Sequence, residues 1–193
     1  MACFSNGVAV DTSFGMSGQS GLPQNNRVGD IDVFAALYVM KKQHLNPDQM
    51  AELLSVHSGL AGVSGTSGDV RDLVLEAAAG GHRAQLALDV FVRAIRHYLG
   101  AFMFSLGGVD AITFSGGIGE NSEGIRAAVL KDTEAFGVEL DADKNHSVHG
   151  EGAISTDDSK VRVLVIPANE EMIIAREMMA VMERNAVVEE GLA

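Results

Sequence analysis

The sequence has 193 residues, 47% of them hydrophobic, and a formal net charge of −12 from 14 basic and 26 acidic side chains. That composition describes one globular domain rather than a disordered chain, and no apolar run is long enough to cross a bilayer. The acidic balance argues against nonspecific nucleic-acid binding, which needs clustered positive charge. The one cysteine, Cys3, has no intramolecular partner, and the first residues carry no basic segment followed by an apolar one. Both features lead us to expect a cytoplasmic protein.

Residues 2–13 read as a β-hairpin: residues 2–4 and 8–13 flank Ser5-Asn6-Gly7, and Asn-Gly is a strong tight-turn signal. A chain that opens inside a strand suggests a further segment upstream. Residues 14–29, with Gly15, Gly18, Gly21, Pro23 and Gly29, form an irregular loop. Arg27, its one strong charge, is either a solvated surface residue or a planar fork suited to phosphate or carboxylate oxygens. The spacing of Val33, Phe34, Leu37, Tyr38 and Met40 predicts a helix from Asp30 to Lys41 or Lys42. A second helix opens with Asn46 as N-cap, Pro47 at its first position and Gln49 as capping-box partner; it buries Met50, Leu53 and Leu54. Residues 59–68 are glycine-rich and read either as a connector or as a backbone wall for a ligand. A helix capped by Asp69 then runs to about Ala79. The longest helix covers residues 82–106, with an apolar stripe through Leu86, Val90, Phe91, Ala94, Ile95, Tyr98, Leu99 and Phe102, and ends at Gly107-Gly108.

The chain is organised around residues 111–129. A short β-rich run, residues 111–114, breaks into Gly116, Gly117 and Gly119, and a helix is expected to open at Asn121 or Ser122. Strand, glycine turn and helix start together aim backbone N–H groups and the positive end of a helix dipole at an anion. The turn is neither Gly-x-Gly-x-x-Gly nor a Walker loop, so a tight turn without a ligand is an equal reading. Gly137 ends this unit. Residues 141–160 are polar, and with no cysteines and no helical framework His146 and His149 read as part of a solvated loop rather than a metal site. Residues 153–156 and 161–166 read as strands. The last helix begins within residues 167–172, capped by Asn169, with Ile173, Ile174, Met178 and Val181 on its buried face. Glu170 and Glu171 in its first turn either complement the helix dipole or hold Mg²⁺ through water. Residues 185–193 form an acidic tail expected to fray.

Six segments now line up in order: Val10-Asp-Thr-Ser13, Arg27-Val-Gly-Asp-Ile-Asp32, Ser58-Gly-Leu-Ala-Gly-Val-Ser-Gly65, Asp69-Val-Arg-Asp72, Ser115-Gly-Gly-Ile-Gly-Glu-Asn-Ser122 and Val165-Ile-Pro-Ala-Asn-Glu-Glu171. Together they closely resemble the C-terminal half of the acetate kinase (acetokinase) family, over essentially all of residues 2–184. The resemblance implies an actin-like, ribonuclease-H-like α/β domain of the sugar kinase and heat-shock ATPase superfamily, with a mixed sheet flanked by helices. Residues 1–184 would be the nucleotide-binding domain. It also implies Mg²⁺-dependent phosphoryl transfer between ATP and a short-chain carboxylate, in a homodimer, with no nucleic-acid or membrane partner.

Carried over by motif, Arg27 is expected to stabilise charge on the transferring phosphoryl group. Asp69, Val70 and Arg71 are expected to contact adenosine. Gly117, Ile118, Gly119, Glu120 and Asn121 form the expected nucleotide turn, and Glu170 is the expected Mg²⁺ carboxylate. The family's N-terminal half has no counterpart here, so the 193 residues alone are expected not to turn over acetate. The sequence also departs from the family pattern at residues 16–22 and at Asn25-Asn26. A dimerisation module, and a nucleotide-binding regulator without transfer activity, are the alternative readings.

Overall fold

In the computed structural model the helix α5 (His82–Leu106) is the axis on which the other elements pack. The structure describes residues 1–190, with side chains other than those of Glu170 and residues 183–190. At 25 residues α5 is about 37 Å long. Gly107, in the left-handed conformation, ends it by turning the last N–H back onto the helix.

The first element is the expected hairpin. Strands β1 (Ala2–Ser5) and β2 (Val8–Thr12) pair antiparallel through Asn6 and Gly7, both at positive φ. Helix α1 (Val33–Gln43) starts three residues later than its apolar spacing suggests, because the Asp32 carboxylate accepts the Phe34 N–H and fixes the start there. Helix α2 (Pro47–Val56) has the anticipated capping box, with Asn46 and Gln49 exchanging hydrogen bonds of 2.9 Å.

The glycine-rich stretch after α2 is not a flexible connector. It folds into the short helix α3 (Gly59–Ser64), whose Leu60 is fully buried. Helix α4 (Val70–Ala78) follows, capped by Asp69 through the Arg71 N–H.

The second sheet has three strands in the order β3 (Ala111–Phe114), β5 (Arg162–Val165), β4 (Gly152–Ala153). Strands β3 and β5 are parallel and β4 runs antiparallel to β5, so the sheet is mixed as expected, with β4 and β5 shorter than the strands expected over residues 153–156 and 161–166. Between β3 and β4 lie α6 (Gly116–Asn121), α7 (Glu123–Val129), a 3-10 turn at Glu134–Phe136 and α8 (Ala142–Ser147). The helix expected to open at Asn121 or Ser122 is α7, with Ser122 at its N-cap position, and the structure adds the short α6 ahead of it, where Gly116 at φ +75 turns the chain directly. One expectation is corrected here. The polar residues 141–160 are not all loop: Asp141 caps α8, and Lys144 on that helix reaches Asp157 at 2.7 Å. Caps and charge replace an apolar stripe, which is why α8 has no hydrophobic signature.

The core lies where α3, α4, α5, α7 and the three-stranded sheet meet. Leu60, Leu73, Ala84, Ala87, Val129, Ile154 and Val163 are all fully buried there. On α5 the inward stripe runs through Ala84, Ala87, Leu88, Phe91 and Phe102, while Leu86 is exposed. One other stripe expected to be buried is not: Ile173, Ile174, Met178 and Val181 on the final helix α9 (Glu170–Glu190) are exposed because no described element packs over them, and Phe34, Leu37 and Tyr38 on α1 are exposed as well. The backbone of α9 is helical through Glu190; the side chains of the expected acidic tail, and residues 191–193, lie outside the described residues. No described helix is long and apolar enough to cross a membrane.

Candidate functional site

Because β3 and β5 are neighbours and parallel, the turns that follow them leave the sheet on one edge, the carboxyl edge. In open α/β sheets that edge is where ligands bind. The Ile166 N–H bonds to the Phe114 carbonyl at 2.9 Å, carrying the ladder to the point where both turns begin. The first turn holds residues 116–121 and the second residues 167–169.

In the first turn, a side-chain carbon built at Gly116 or Gly117 would meet nothing within 4 Å among the described residues, whereas one at Gly119 would lie 3.3 Å from the Phe114 backbone. Gly119 therefore seats the turn on β3, and Gly116 and Gly117 border open space. Ile118 packs against the core. Asn121, exposed at the end of α6, donates through Nδ2 to the Gly117 carbonyl at 2.9 Å. Glu120 turns back: its Oε1 accepts the N–H of Gly116 at 2.7 Å and of Ala168 at 2.8 Å.

Beneath the turn lies Arg126, which sequence reasoning missed. It is 2% exposed, and its guanidinium donates to the carbonyls of Gly119 (3.0 Å) and Glu120 (2.8 Å) and to both the side chain and the carbonyl of Asn145 (2.7 and 2.8 Å). Burial lowers its pKa while Glu123 raises it, but a guanidinium stays charged. Its clue in the sequence is position: it sits between Ile125 and Val129 on the buried face of α7, where a charge survives only if fully bonded.

Arg27 is half-buried in the loop before α1. It donates to the Gly18 carbonyl at 3.1 Å and to the Gln24 side chain, and it makes no ion pair with a described residue. The loop is clamped by the segment opening α3: Ser58, Leu60 and Ala61 donate their N–H groups to the carbonyls of Asn26, Gln24 and Asn25 at 2.8–2.9 Å. Gly59 makes the clamp possible, since a Cβ there would lie 2.1 Å from the Gln24 oxygen. Gly68 is equally tight against the Asn25 oxygen, at 2.5 Å, so the Arg27 loop also touches the segment leading to Asp69. At the loop's far end, Asp30 accepts the Gly21 N–H and the Tyr98 hydroxyl, and this bond pushes the Tyr98 pKa up to about 12.

Asp69 and Arg71 form an exposed pair with Nη2 2.6 Å from Oδ2, and the Arg71 side-chain bond lowers the Asp69 pKa to about 2. Val70 between them is 4% exposed and belongs to the core, so any contact it makes with a ligand runs through its backbone. Glu170 is the first residue of α9, directly after the second turn, and its side chain lies outside the described residues. Among the described residues no three His, Cys, Asp or Glu side chains converge as a metal cage. Such a cage is not what Mg²⁺ asks for, since it keeps several waters and takes phosphate oxygens with one or two carboxylates.

The fold thus joins residues 116–121 to residues 167–169, and the Arg27 loop to the Asp69 segment; Ile118 and Val70 pack on one core between the two pairs. None of the described candidate side chains lines the cavities of about 680 and 630 Å³ found elsewhere on the chain. The candidate site is an open face.

The Acetokinase family model matches residues 1–176. The acetate kinase of Finegoldia magna is 46% identical over 177 residues, 92% of this chain and 45% of that protein. That of Clostridium novyi is 41% identical over 187 residues, 97% of this chain and 47% of the relative. The crystal structure of Porphyromonas gingivalis acetate kinase superposes with a TM-score of 0.89 at 37% identity, over 94% of this chain and 46% of that one. A propionate kinase from Francisella tularensis gives 0.85 at 31% identity, over 91% and 45%. The fold is therefore the actin-like one that the resemblance implied, and the chain spans about half the length of the curated relatives it matches. The chain belongs to the acetokinase family.

Proposed function

We propose that this chain is the nucleotide-binding half of an ATP-dependent phosphotransferase whose acceptor is a short-chain carboxylate, converting acetate and ATP to acetyl phosphate and ADP. The observation that carries the reading is the open turn at Gly116 and Gly117, on the carboxyl edge of a parallel strand pair and within a chain of the acetokinase family. The N–H groups of Gly117 and Ile118 make no hydrogen bond to a described residue, which suits a turn that receives an anionic ligand.

In this reading Gly117, Ile118, Gly119 and Asn121 border the nucleotide, with Glu120 holding their turn. Asp69, Val70 and Arg71 lie along adenosine. Arg27, which pairs with no described carboxylate, neutralises charge on the transferring phosphoryl group. Glu170 holds Mg²⁺ through water and phosphate oxygens. Phosphoryl transfer asks a protein mainly for positioning and charge neutralisation, and these residue types supply both. The protein would work in the cytoplasm.

The 193 residues present one wall of a cleft. Mixed with ATP, Mg²⁺ and acetate in a coupled assay, they are expected to yield no acetyl phosphate; formation at an ordinary kinase rate contradicts this reading. A second reading, self-association through α5, draws on the apolar cavity of about 680 Å³ at its C-terminal end, where Phe104 is 91% exposed. Sedimentation that rises with protein concentration supports it, and both roles are compatible.

A further inference from the structure

Glu120 is the next-to-last residue of a six-residue helix, where an acidic side chain opposes the helix dipole. Its geometry shows what it does there. One carboxylate oxygen takes two backbone N–H groups: that of Gly116, at the head of its own helix, and that of Ala168, 48 residues from Glu120 in sequence and two residues before Glu170. Ser115, the residue placed to cap this helix, makes no side-chain cap bond, so Glu120 closes the helix from its far end. Its own carbonyl and that of Gly119 are taken by the buried Arg126 guanidinium, so the backbone that carries the carboxylate is itself held. Hydrogen bonds to a carboxylate are about twice as strong as neutral ones.

We propose that Glu120 is a positioning residue that locks the turn after β5 to the turn after β3, so that a ligand held by residues 117–121 also orders residues 167–169. The ligand half of this statement rests on the nucleotide-binding reading above; the mechanical half does not.

The test is amide hydrogen exchange followed by NMR on the whole 193-residue chain, as wild type, E120A and E120Q. Without ligand, E120A is expected to exchange the amides of Gly116 and Ala168 about tenfold faster than wild type, because both lose their acceptor. E120Q keeps the acceptor oxygen and is expected to restore protection. Unchanged exchange at Ala168 in E120A overturns the proposal, as does failure of E120Q to restore it. With ADP added, protection in wild type is expected at Gly117 and at Ala168 alike, and in E120A at Gly117 only. Protection of Ala168 by ADP bound to E120A overturns the transmission. Should wild type bind no ADP, the nucleotide reading fails, while the ligand-free comparison still decides the lock. If E120A does not fold, E120D, one methylene shorter, carries the same comparison.

Discussion

The two glycine-rich segments of this chain look alike in sequence and do opposite things. In residues 59–68 the missing side chains are filled by the protein's own backbone: Gly59 and Gly68 lie so close to the Gln24 and Asn25 carbonyls that a Cβ would overlap them at 2.1 and 2.5 Å. In residues 116–119, by contrast, Gly116 and Gly117 face open space. The first segment is a vice that holds the Arg27 loop, and the second is a turn with room left in it. Glycine by itself therefore says only that something comes close to the main chain; what comes close, self or ligand, is decided by packing that lies elsewhere in the sequence.

The contrast can be broken at several points. The largest effect is expected from Arg126→Ala, which leaves the half-buried carbonyls of Gly119 and Glu120 and the buried carbonyl of Asn145 without the guanidinium donor. A cost of about 4 kcal/mol should appear in chemical denaturation. Gly59→Ala comes next. It combines φ +62 with backbone overlap and should cost about 3 kcal/mol, or roughly 6–12 °C in melting temperature for a chain of this size. Gly117→Ala should leave the melt within about 1 kcal/mol of wild type, since its Cβ meets nothing and alanine suits a helix better. A melt as low as that of Gly59→Ala would erase the distinction between the two segments.

The smallest effect concerns the Asp69–Arg71 pair. The Asp69 pKa is lowered to about 2 in the folded chain, from an ordinary value of 3.8. A lowered carboxylate stabilises the fold above its ordinary pKa and loses that contribution as pH falls through the folded value. The stability difference between wild type and Asp69→Asn should therefore be constant above about pH 4 and shrink towards pH 2 in thermal melts. A difference independent of pH over that window would mean that the pair is not formed in solution.

Much of this was legible beforehand. The hairpin, the capping box at Asn46, the extent of α5 and the Asp69 cap follow from local rules that act within four residues, and local rules can be read. The family motifs pointed to the right fold. What could not be read depends on distant partners. The start of α6 at Gly116 needs the chain to turn at φ +75 and Glu120 to fold back; α3 forms only because the Arg27 loop accepts its free N–H groups. Arg126 looked like any charged residue on a short helix until its four acceptors were assembled around it. Periodicity cannot say what covers a face: the α9 stripe was expected to be buried and is exposed, and the apolar residues of α1 are exposed as well.

The central claim is that the open turn binds nucleotide on this half of the protein, and the most direct test is titration of ADP with Mg²⁺ into the 193-residue chain, followed by melting temperature, with Gly117→Ala beside it. The account predicts a rising melting temperature, reaching about 2.7 kcal/mol of added stability near 100 times Kd, and affinity about tenfold weaker in Gly117→Ala at unchanged ligand-free stability. No shift at millimolar ADP in the wild-type chain would contradict it.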